Sequence, residues 1–266
     1  VMAFPYNVKV VVSGKQVEVY KYKKSIWRDF ERTQLCVLTT DKNFQYDEPL
    51  QQPTADEQLK LKQQKTRFSI NRTRTEIRRL VNSNPQLTKF LTLTFAENIT
   101  DLKSANYVFN QFVKRVLYRH NSFEYLAVPE FQQRGAVHYH VLCSLSFIEP
   151  TALSDLWGQG FVKINRINSV TNIGAYVCKY LSKDMFDKRT FGKKKFFRSQ
   201  TLKAPVEIMG YLATLFEKKY LTTSTPIFER TFQSEWTGEV NYRSFSLEYC
   251  PLKNGVLDKL QLIQPL

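Results

Sequence analysis

The sequence predicts an α+β fold built on a central, mostly antiparallel β-sheet with flanking helices. Segments of alternating apolar residues, typical of strands, are interspersed with segments of helical periodicity. Short turns join several of the strands, which is how antiparallel neighbours are connected. Of the 266 residues, 42% are hydrophobic and 14% aromatic, which is enough to build a core.

The first predicted elements lie in the N-terminal third of the chain. Residues 8–12 and 16–22 alternate as strands do and flank a Ser13-Gly14 turn, which predicts a hairpin. A long basic helix over 54–80 follows, because Thr54 opens a capping-box pattern and a proline closes the segment. Its arginines either face phosphates or form a solvated surface; they are Arg72, Arg74, Arg78 and Arg79.

The remaining elements begin at residue 89. The segment "KFLTLTF" is typical of a half-buried strand, and 104–119 is typical of an amphipathic helix. We then predict, in order, strands at 124–131 and 137–145 joined by a turn with Gly135, a short helix near 151–157, a strand at 161–167, a helix at 171–185, a helix at 206–218 and strands within 227–249. Three parts result: an N-terminal hairpin and basic helix (1–85), a central domain (86–204) and a C-terminal part (205–266) packed on it.

The charge of the chain favours a polyanionic partner. Lys and Arg number 39 against 24 Asp and Glu, for a formal charge of +15. Each cation placed on a phosphate releases condensed counterions, so nucleic acid is the expected partner class.

Cysteine spacing and hydropathy exclude several protein classes. The four cysteines are scattered without a CxxC pair, which argues against a zinc module and against a disulfide framework; they are Cys36, Cys143, Cys178 and Cys250. No apolar run approaches a membrane span, and no signal-peptide pattern opens the chain. We therefore expect a reducing, cytoplasmic setting and no membrane partner.

Two of the three histidines stand two positions apart in "VHYHV". Residues at this spacing in a strand share one face, so His138 and His140 project side by side. The opposite face is apolar throughout and packs on the core. A satisfied structural histidine is the ordinary explanation for a single residue, but a pair on the less apolar face favours a metal site.

Two imidazoles need a third ligand, and Glu130 is the candidate. It lies on the preceding strand and shares the histidine face only if the hairpin pairs it with a residue of the same parity, such as His138. The five-residue loop "QQRGA", with Gly135 able to adopt positive φ, gives that register. Two histidines and a carboxylate suit Mn²⁺ or Mg²⁺ in phosphoryl chemistry, and zinc also fits by ligand type. The alternative for Glu130 is an exposed strand carboxylate.

A second motif, "YVCKYLSKD", repeats YxxK on a predicted helix. Tyr176 and Tyr180 lie one turn apart on one stripe, and Lys179 and Lys183 form the next stripe. A nearby ammonium favours the phenolate, which is the nucleophilic form of tyrosine. Taken alone, the pattern is more often ordinary packing with a charged fringe.

The motifs together resemble the HUH endonuclease superfamily, the rolling-circle replication initiators of phages and plasmids. "FLTLTF" looks like the family's first motif strand, "VHYHV" like its His-hydrophobic-His motif and "YVCKY" like its tyrosine motif. The order agrees over about half the chain, and the double tyrosine is similar to the two-tyrosine branch. Residues 86–204 would then be the catalytic core.

The resemblance implies a role for each of these residues. His138, His140 and Glu130 would bind the divalent metal. Tyr176 or Tyr180 would attack a phosphate of single-stranded DNA or an origin hairpin, leaving a 5′-phosphotyrosine, with Lys179 and Lys183 placing the phosphate. No P-loop motif occurs in the chain, so a host helicase is the expected partner for unwinding in a bacterial cytoplasm.

The basic run "GKKKFFRSQTLK" is the predicted single-stranded DNA contact, together with Arg134. Its cations are Lys193, Lys194, Lys195, Arg198 and Lys203. Alternatively, this segment packs its two phenylalanines in the core. The rival functions are a transposase or relaxase of the same chemistry, a hydrolytic metal nuclease and a non-catalytic DNA-binding module.

Overall fold

The computed structural model describes residues 4–28, 54–167, 174, 189 and 192–247. Its elements are β1 (Phe4–Ser13), β2 (Gln16–Arg28), α1 (Ala55–Ser83), β3 (Lys89–Thr94), α2 (Leu102–Arg119), β4 (Tyr125–Phe131), β5 (Val137–Cys143), α3 (Pro150–Trp157), β6 (Val162–Arg166), β7 (Phe197–Arg198), β8 (Val206–Met209), α4 (Tyr211–Tyr220), β9 (Phe228–Ser234) and β10 (Gly238–Ser246). In the described part of the chain, the strands form two five-stranded antiparallel sheets beside four helices, which confirms the α+β prediction.

Two compact units divide the chain, one within residues 1–61 and 205–266 and the other within 62–204. The first unit contains the sheet β8-β1-β2-β10-β9. The predicted N-terminal hairpin is present, and β1 pairs with β2 around a turn whose Gly14 has φ 56°. Valines from both strands pack with α4 in the core of this unit, chiefly Val10, Val12, Val17 and Val19 against Ala213 and Phe216.

The predicted helix at 206–218 is wrong at its start. Residues 206–209 form β8, in which Val206 pairs with Val12 of β1, and the helix begins only at Tyr211. Gly210 separates the two with a φ of 63°, a backbone conformation that disfavours continuing a helix. The alternation of Val206 and Ile208, both buried, suits a strand whose partner lies far away in the sequence.

Helix α4 carries an ion-pair cluster in the first unit. Glu217 contacts Lys21 at 2.9 Å and Arg243, whose guanidinium donates a hydrogen bond to the same carboxylate oxygen. Burial raises the pKa of Glu217, but the hydrogen bonds from these two cations outweigh it and lower the pKa below its ordinary value. The carboxylate therefore links the helix to two strands in its ionised form.

The second unit contains the sheet β6-β3-β5-β4-β7, whose faces are both covered. One face packs on α2 and α3, with Tyr139 stacked on Phe109 at 4.5 Å and Trp157 fully buried. The apolar face predicted for the histidine strand is confirmed: Val137, Tyr139, Val141 and Cys143 are all inaccessible to solvent.

The basic helix α1 lies on the other face of this sheet. Its Ile70, Ile77, Leu80 and Val81 pack with Leu126, Val128 and Leu142 in a second apolar cluster. The histidine face is therefore half covered by a helix, where the sequence left it free. The predicted capping box opens α1, with the Thr54 N–H donating to Glu57 Oε2 at 2.9 Å and the Glu57 N–H to Thr54 Oγ1 at 3.4 Å. Among its arginines, Arg72 is exposed, whereas Arg74, Arg78 and Arg79 are half-buried.

The other predicted strands and helices of the described residues agree with the structure to within a few positions. The predicted helix at 171–185 lies outside the described residues except for Gly174, which is helical. In the described ranges, no helix combines the length and the apolar character needed to cross a membrane.

Candidate metal centre

The hairpin formed by β4 and β5 brings the three predicted metal ligands together. Residues 132–136 form its loop, closed by a hydrogen bond from the Gln132 N–H to the Ala136 carbonyl at 2.8 Å. Gly135 adopts φ 90°, as the loop length required. Glu130 pairs with His138 in the resulting register, which confirms the predicted parity. All three side chains consequently share one face of the sheet.

The three ligand atoms form a compact triangle. Glu130 Oε2 lies 3.2 Å from His138 Nε2 and 2.9 Å from His140 Nε2, and the two Nε2 atoms lie 3.0 Å apart. The side chains are 7%, 12% and 18% exposed for Glu130, His138 and His140, respectively. Such proximity in a largely dry site needs a compensating charge or hydrogen.

Hydrogen bonds alone do not satisfy this triangle. Three contacts would need three hydrogens, but each Nε2 carries at most one and an ionised carboxylate carries none. A cation at the centre satisfies all three contacts at once. With metal–ligand bonds of about 2.1 Å, adjacent octahedral ligands lie about 3.0 Å apart, and tetrahedral ones about 3.4 Å. The observed separations of 2.9–3.2 Å fit three neighbouring octahedral positions better.

Burial and the histidines act in opposite directions on Glu130. Burial raises the pKa of its carboxyl, but hydrogen bonds from His138 and His140 outweigh that effect and hold the pKa at about 2. The carboxylate is therefore ionised near neutral pH and available as a hard oxygen ligand.

Neighbouring groups orient the ligands. Thr92 pairs with His140 across β3 and β5, and its Oγ1 lies 3.2 Å from His140 Nδ1. A hydroxyl at Nδ1 fixes the ring and leaves Nε2 for a metal, which is the usual arrangement around metal-bound histidines. Phe90 stacks on the same imidazole at 5.3 Å between ring centroids. In the described part of the chain, His138 Nδ1 and Glu130 Oε1 are buried without a hydrogen-bond partner.

These observations fit a divalent metal. Residues Glu130, His138 and His140 form a group able to bind one, with Glu130 Oε1 free to add a second carboxylate contact. The donor set does not decide which metal, since imidazole favours later transition metals and carboxylate favours Mn²⁺ and Mg²⁺.

The predicted tyrosine site lies outside the described residues. This holds for Tyr176, Lys179, Tyr180 and Lys183. Gly174, two positions before Tyr176, packs against α1: its N–H donates to Asn82 Oδ1 at 3.3 Å, and an added Cβ would lie 2.7 Å from the Arg78 carbonyl. A glycine is required for this approach to the helix that covers the histidine face.

The basic run follows the packing alternative for its aromatic residues. Phe197 packs on the core formed with α2 and α3, and Phe196 packs on the cluster under α1. Phe197 and Arg198 form β7, which pairs with Ala127 and Leu126 of β4. The cations remain outward: Lys195 is half-buried and the others are exposed, namely Lys193, Lys194, Arg198 and Lys203. Their contact with DNA stays a prediction.

Arg134 has a structural contact at the hairpin loop. Its Nη2 donates to the Phe95 carbonyl at 2.5 Å and its Nη1 to the Ala96 carbonyl at 3.3 Å, which attaches the loop to the end of β3. Its predicted role at DNA is additional to this contact and stays a prediction.

Two residues at the site were not predicted. Thr92 was identified as a strand residue but given no role, although a threonine opposite His140 follows from the β3–β5 register once the sheet order is known. Arg189 lies with its guanidinium carbon 3.9 Å from the centre of the Phe131 ring, next to Glu130 in sequence, and no pattern in the sequence indicated it.

Comparison with known proteins supports the same region as the functional one. Residues 88–185 match the model of a family described as replication-associated protein ORF2. No significant similarity to a curated protein or to a solved structure was found. The matched residues include the metal hairpin and both tyrosines of the predicted second site. This match supports a replication-initiator family for the segment from β3 through the tyrosine motif.

Proposed function

We propose that this protein initiates rolling-circle DNA replication by nicking and rejoining single-stranded DNA through a tyrosine. The observation that carries the proposal is the triangle of Glu130, His138 and His140, a metal site within a segment that matches a replication-associated family. The charge of +15 supports a nucleic acid as the substrate. We assign the protein to the two-tyrosine type of HUH endonuclease on the "VHYHV" and "YVCKY" motifs, and its setting to a bacterial cytoplasm with a host helicase as partner.

The proposed reaction exchanges one phosphodiester for another. The phenolate oxygen of Tyr176 or Tyr180 attacks the phosphorus, and the bond from phosphorus to the 3′ oxygen breaks. The phenolic proton is lost to solvent or a neighbouring base, and the departing 3′ oxygen takes up a proton. The products are a 5′-phosphotyrosine and a free 3′-OH. Because no bond energy is lost, the same site can rejoin the strand without a nucleotide cofactor.

The residues of the chain divide this work. Glu130, His138 and His140 would hold the metal, for which we propose Mn²⁺ or Mg²⁺. When bound, the metal supplies positive charge that polarises the phosphoryl oxygens. Thr92 holds the imidazole of His140 in its ligating orientation. Lys179 and Lys183 would orient the phosphate, and the second tyrosine would serve the terminating cleavage.

A pool of randomised single-stranded oligonucleotides tests the proposal without knowledge of the origin sequence. We expect the full chain with Mn²⁺ to form an adduct that survives denaturing electrophoresis and that mass spectrometry maps to Tyr176 or Tyr180. The Tyr176→Phe/Tyr180→Phe double variant should form none, and His138→Ala should remove metal-dependent cutting. Tyr118→Phe is the matched control, since Tyr118 is 90% exposed on α2, on the opposite face of the sheet.

Other outcomes would overturn the mechanism in distinct ways. Cutting without an adduct would make the protein a hydrolytic metal nuclease. Normal adducts in the double variant would move the nucleophile elsewhere. Tight binding of DNA without cutting of any sequence would make it a binding module.

A further inference from the structure

Edge strand β6 places a row of exposed side chains on the same face as the metal triangle. In the β3–β6 register Lys163 pairs with Thr92, which in turn pairs with His140. Phe161 continues this register opposite Thr94, whose N–H donates to the Phe161 carbonyl at 2.9 Å. Directly opposed residues of antiparallel strands share a face, so Phe161, Lys163 and Asn165 all point to the histidine side. We call these three residues the β6 strip.

The β6 strip is not needed for packing. Phe161 is 67% exposed, and Lys163 and Asn165 are also exposed. Val162 and Ile164, which alternate with them, pack on the core of the unit instead. Within the described residues Lys163 has no ion pair, so its charge is uncompensated on this surface. A large aromatic ring and a cation on solvent-facing positions of one strand are the combination that single-stranded nucleic acid contacts use.

The backbone before β6 fixes the strip beside the metal triangle. The Ala96 N–H donates to the Gln159 carbonyl at 2.8 Å, and Trp157 Nε1 donates to the Thr94 carbonyl at 2.8 Å. Gly160 lies so close to β3 that an added Cβ would be 2.5 Å from the Ala96 nitrogen. Phe161 is therefore held at a defined position relative to Thr94, and through it to His138.

We propose that the β6 strip binds the nucleotides next to the scissile phosphate of single-stranded DNA. Phe161 stacks on a base, Lys163 neutralises a backbone phosphate, and Asn165 offers a hydrogen bond to the adjoining nucleotide. Two strand spacings, about 10 Å, separate β6 from β5, so the strip is within a few nucleotides of the metal triangle. Thr92 and Thr94, with short side chains, lie between them and leave room for the strand. The inference rests on the proposed function for its choice of DNA.

The test measures binding separately from chemistry. The full chain is titrated into a fluorescently labelled oligodeoxythymidylate in EDTA, and anisotropy is followed at several salt concentrations. We expect Phe161→Ala to weaken binding about tenfold, and Phe161→Trp to retain it, because a base stacks on any large aromatic ring. Lys163→Gln should reduce the slope of log affinity against log salt by about 0.7, the value for one phosphate of a single strand.

Two matched variants control for exposure and charge. Phe147→Ala removes a phenylalanine that is 79% exposed at the far end of β5 from the histidines, and Lys103→Gln removes an exposed cation on α2, across the sheet. Both should bind like the wild type. If Phe161→Ala and Lys163→Gln also bind like the wild type, the strip does not contact DNA.

Adduct formation by the same proteins separates the two proposals. A wild type that forms the adduct, with unchanged DNA binding by the strip variants, would overturn the strip and leave the nicking function intact. A wild type that forms no adduct, with weakened binding by the strip variants, would overturn the nicking function and support the strip as a DNA-binding surface.

Discussion

Replacing Glu130 with glutamine should remove most of the metal affinity while keeping the shape of the side chain. The change deletes the one charged ligand of a triangle whose atoms lie 2.9–3.2 Å apart. Groups that merely orient metal ligands are worth 10- to 100-fold in affinity, so loss of a direct ligand should cost about 100-fold or more. That ratio corresponds to about 2.7 kcal/mol of binding free energy.

Thermal unfolding with Mn²⁺ converts this difference into a shift of Tm. A metal present at one hundred times its Kd stabilises the native state by about 2.7 kcal/mol, which for a chain of this size raises Tm by about 8 °C. At the same concentration the Glu130→Gln variant, with a Kd about 100-fold higher, should gain only about 0.4 kcal/mol, or about 1 °C. Isothermal titration gives the two affinities directly.

The control is Glu149→Gln, which removes the same charge from an exposed position preceding α3. This variant should show the full shift. A full shift in Glu130→Gln would refute the metal triangle, provided that its circular dichroism without metal matches the wild type. A shift lost equally in both variants would show that net charge, and not ligation, attracts the metal.

The contacts described above lead to four further predictions. Thr92→Val keeps the side-chain shape but removes the hydroxyl beside the metal-ligating histidine, and should lower Mn²⁺ affinity 10- to 100-fold in the same titration; unchanged affinity would deny the hydroxyl an orienting role. Gly160→Ala places a Cβ 2.5 Å from backbone and should lower the free energy of unfolding in urea by about 3 kcal/mol, whereas Gly192→Ala, with open space around it but φ 73°, should cost about 1 kcal/mol. Burial raises the pKa of Cys143 to about 11, so iodoacetamide at pH 8 should leave this thiol unmodified until the protein unfolds, and rapid labelling of the native protein would contradict its burial. Glu217→Gln should cost about 1 kcal/mol at pH 7, since the lowered pKa stabilises the native state above the ordinary value of 4.5, and the difference from wild type should disappear as the pH falls below it; a difference that persists at pH 3 would assign the effect to packing.

The metal triangle was predictable because every constraint on it is local. Strand alternation places the two histidines on one face, and the length of the loop alone decides whether Glu130 joins them. Neither inference needs to know what the rest of the chain does. The residues of the loop, with Gly135 at positive φ, supplied the remaining condition.

Features set by long-range pairing could not be predicted in this way. The run at 206–209 is short and apolar, and only its pairing with β1 makes it a strand. Similarly, the faces of β6 are defined by its register with β3, so Phe161 and Lys163 could not be placed beside the histidines without the sheet order. The covering of Leu142 by α1 also depends on how distant segments pack.

The hairpin that carries the metal triangle has a consequence for how the protein assembles. All three ligands fall within eleven consecutive positions, closed by a loop of five residues, so the entropy lost on bringing them together is small. Contacts of such short sequence separation are expected to form early on the folding pathway. We therefore expect metal binding to favour the hairpin from early folding intermediates onward, so that the ion would act as a nucleus for the unit and Mn²⁺ would accelerate refolding.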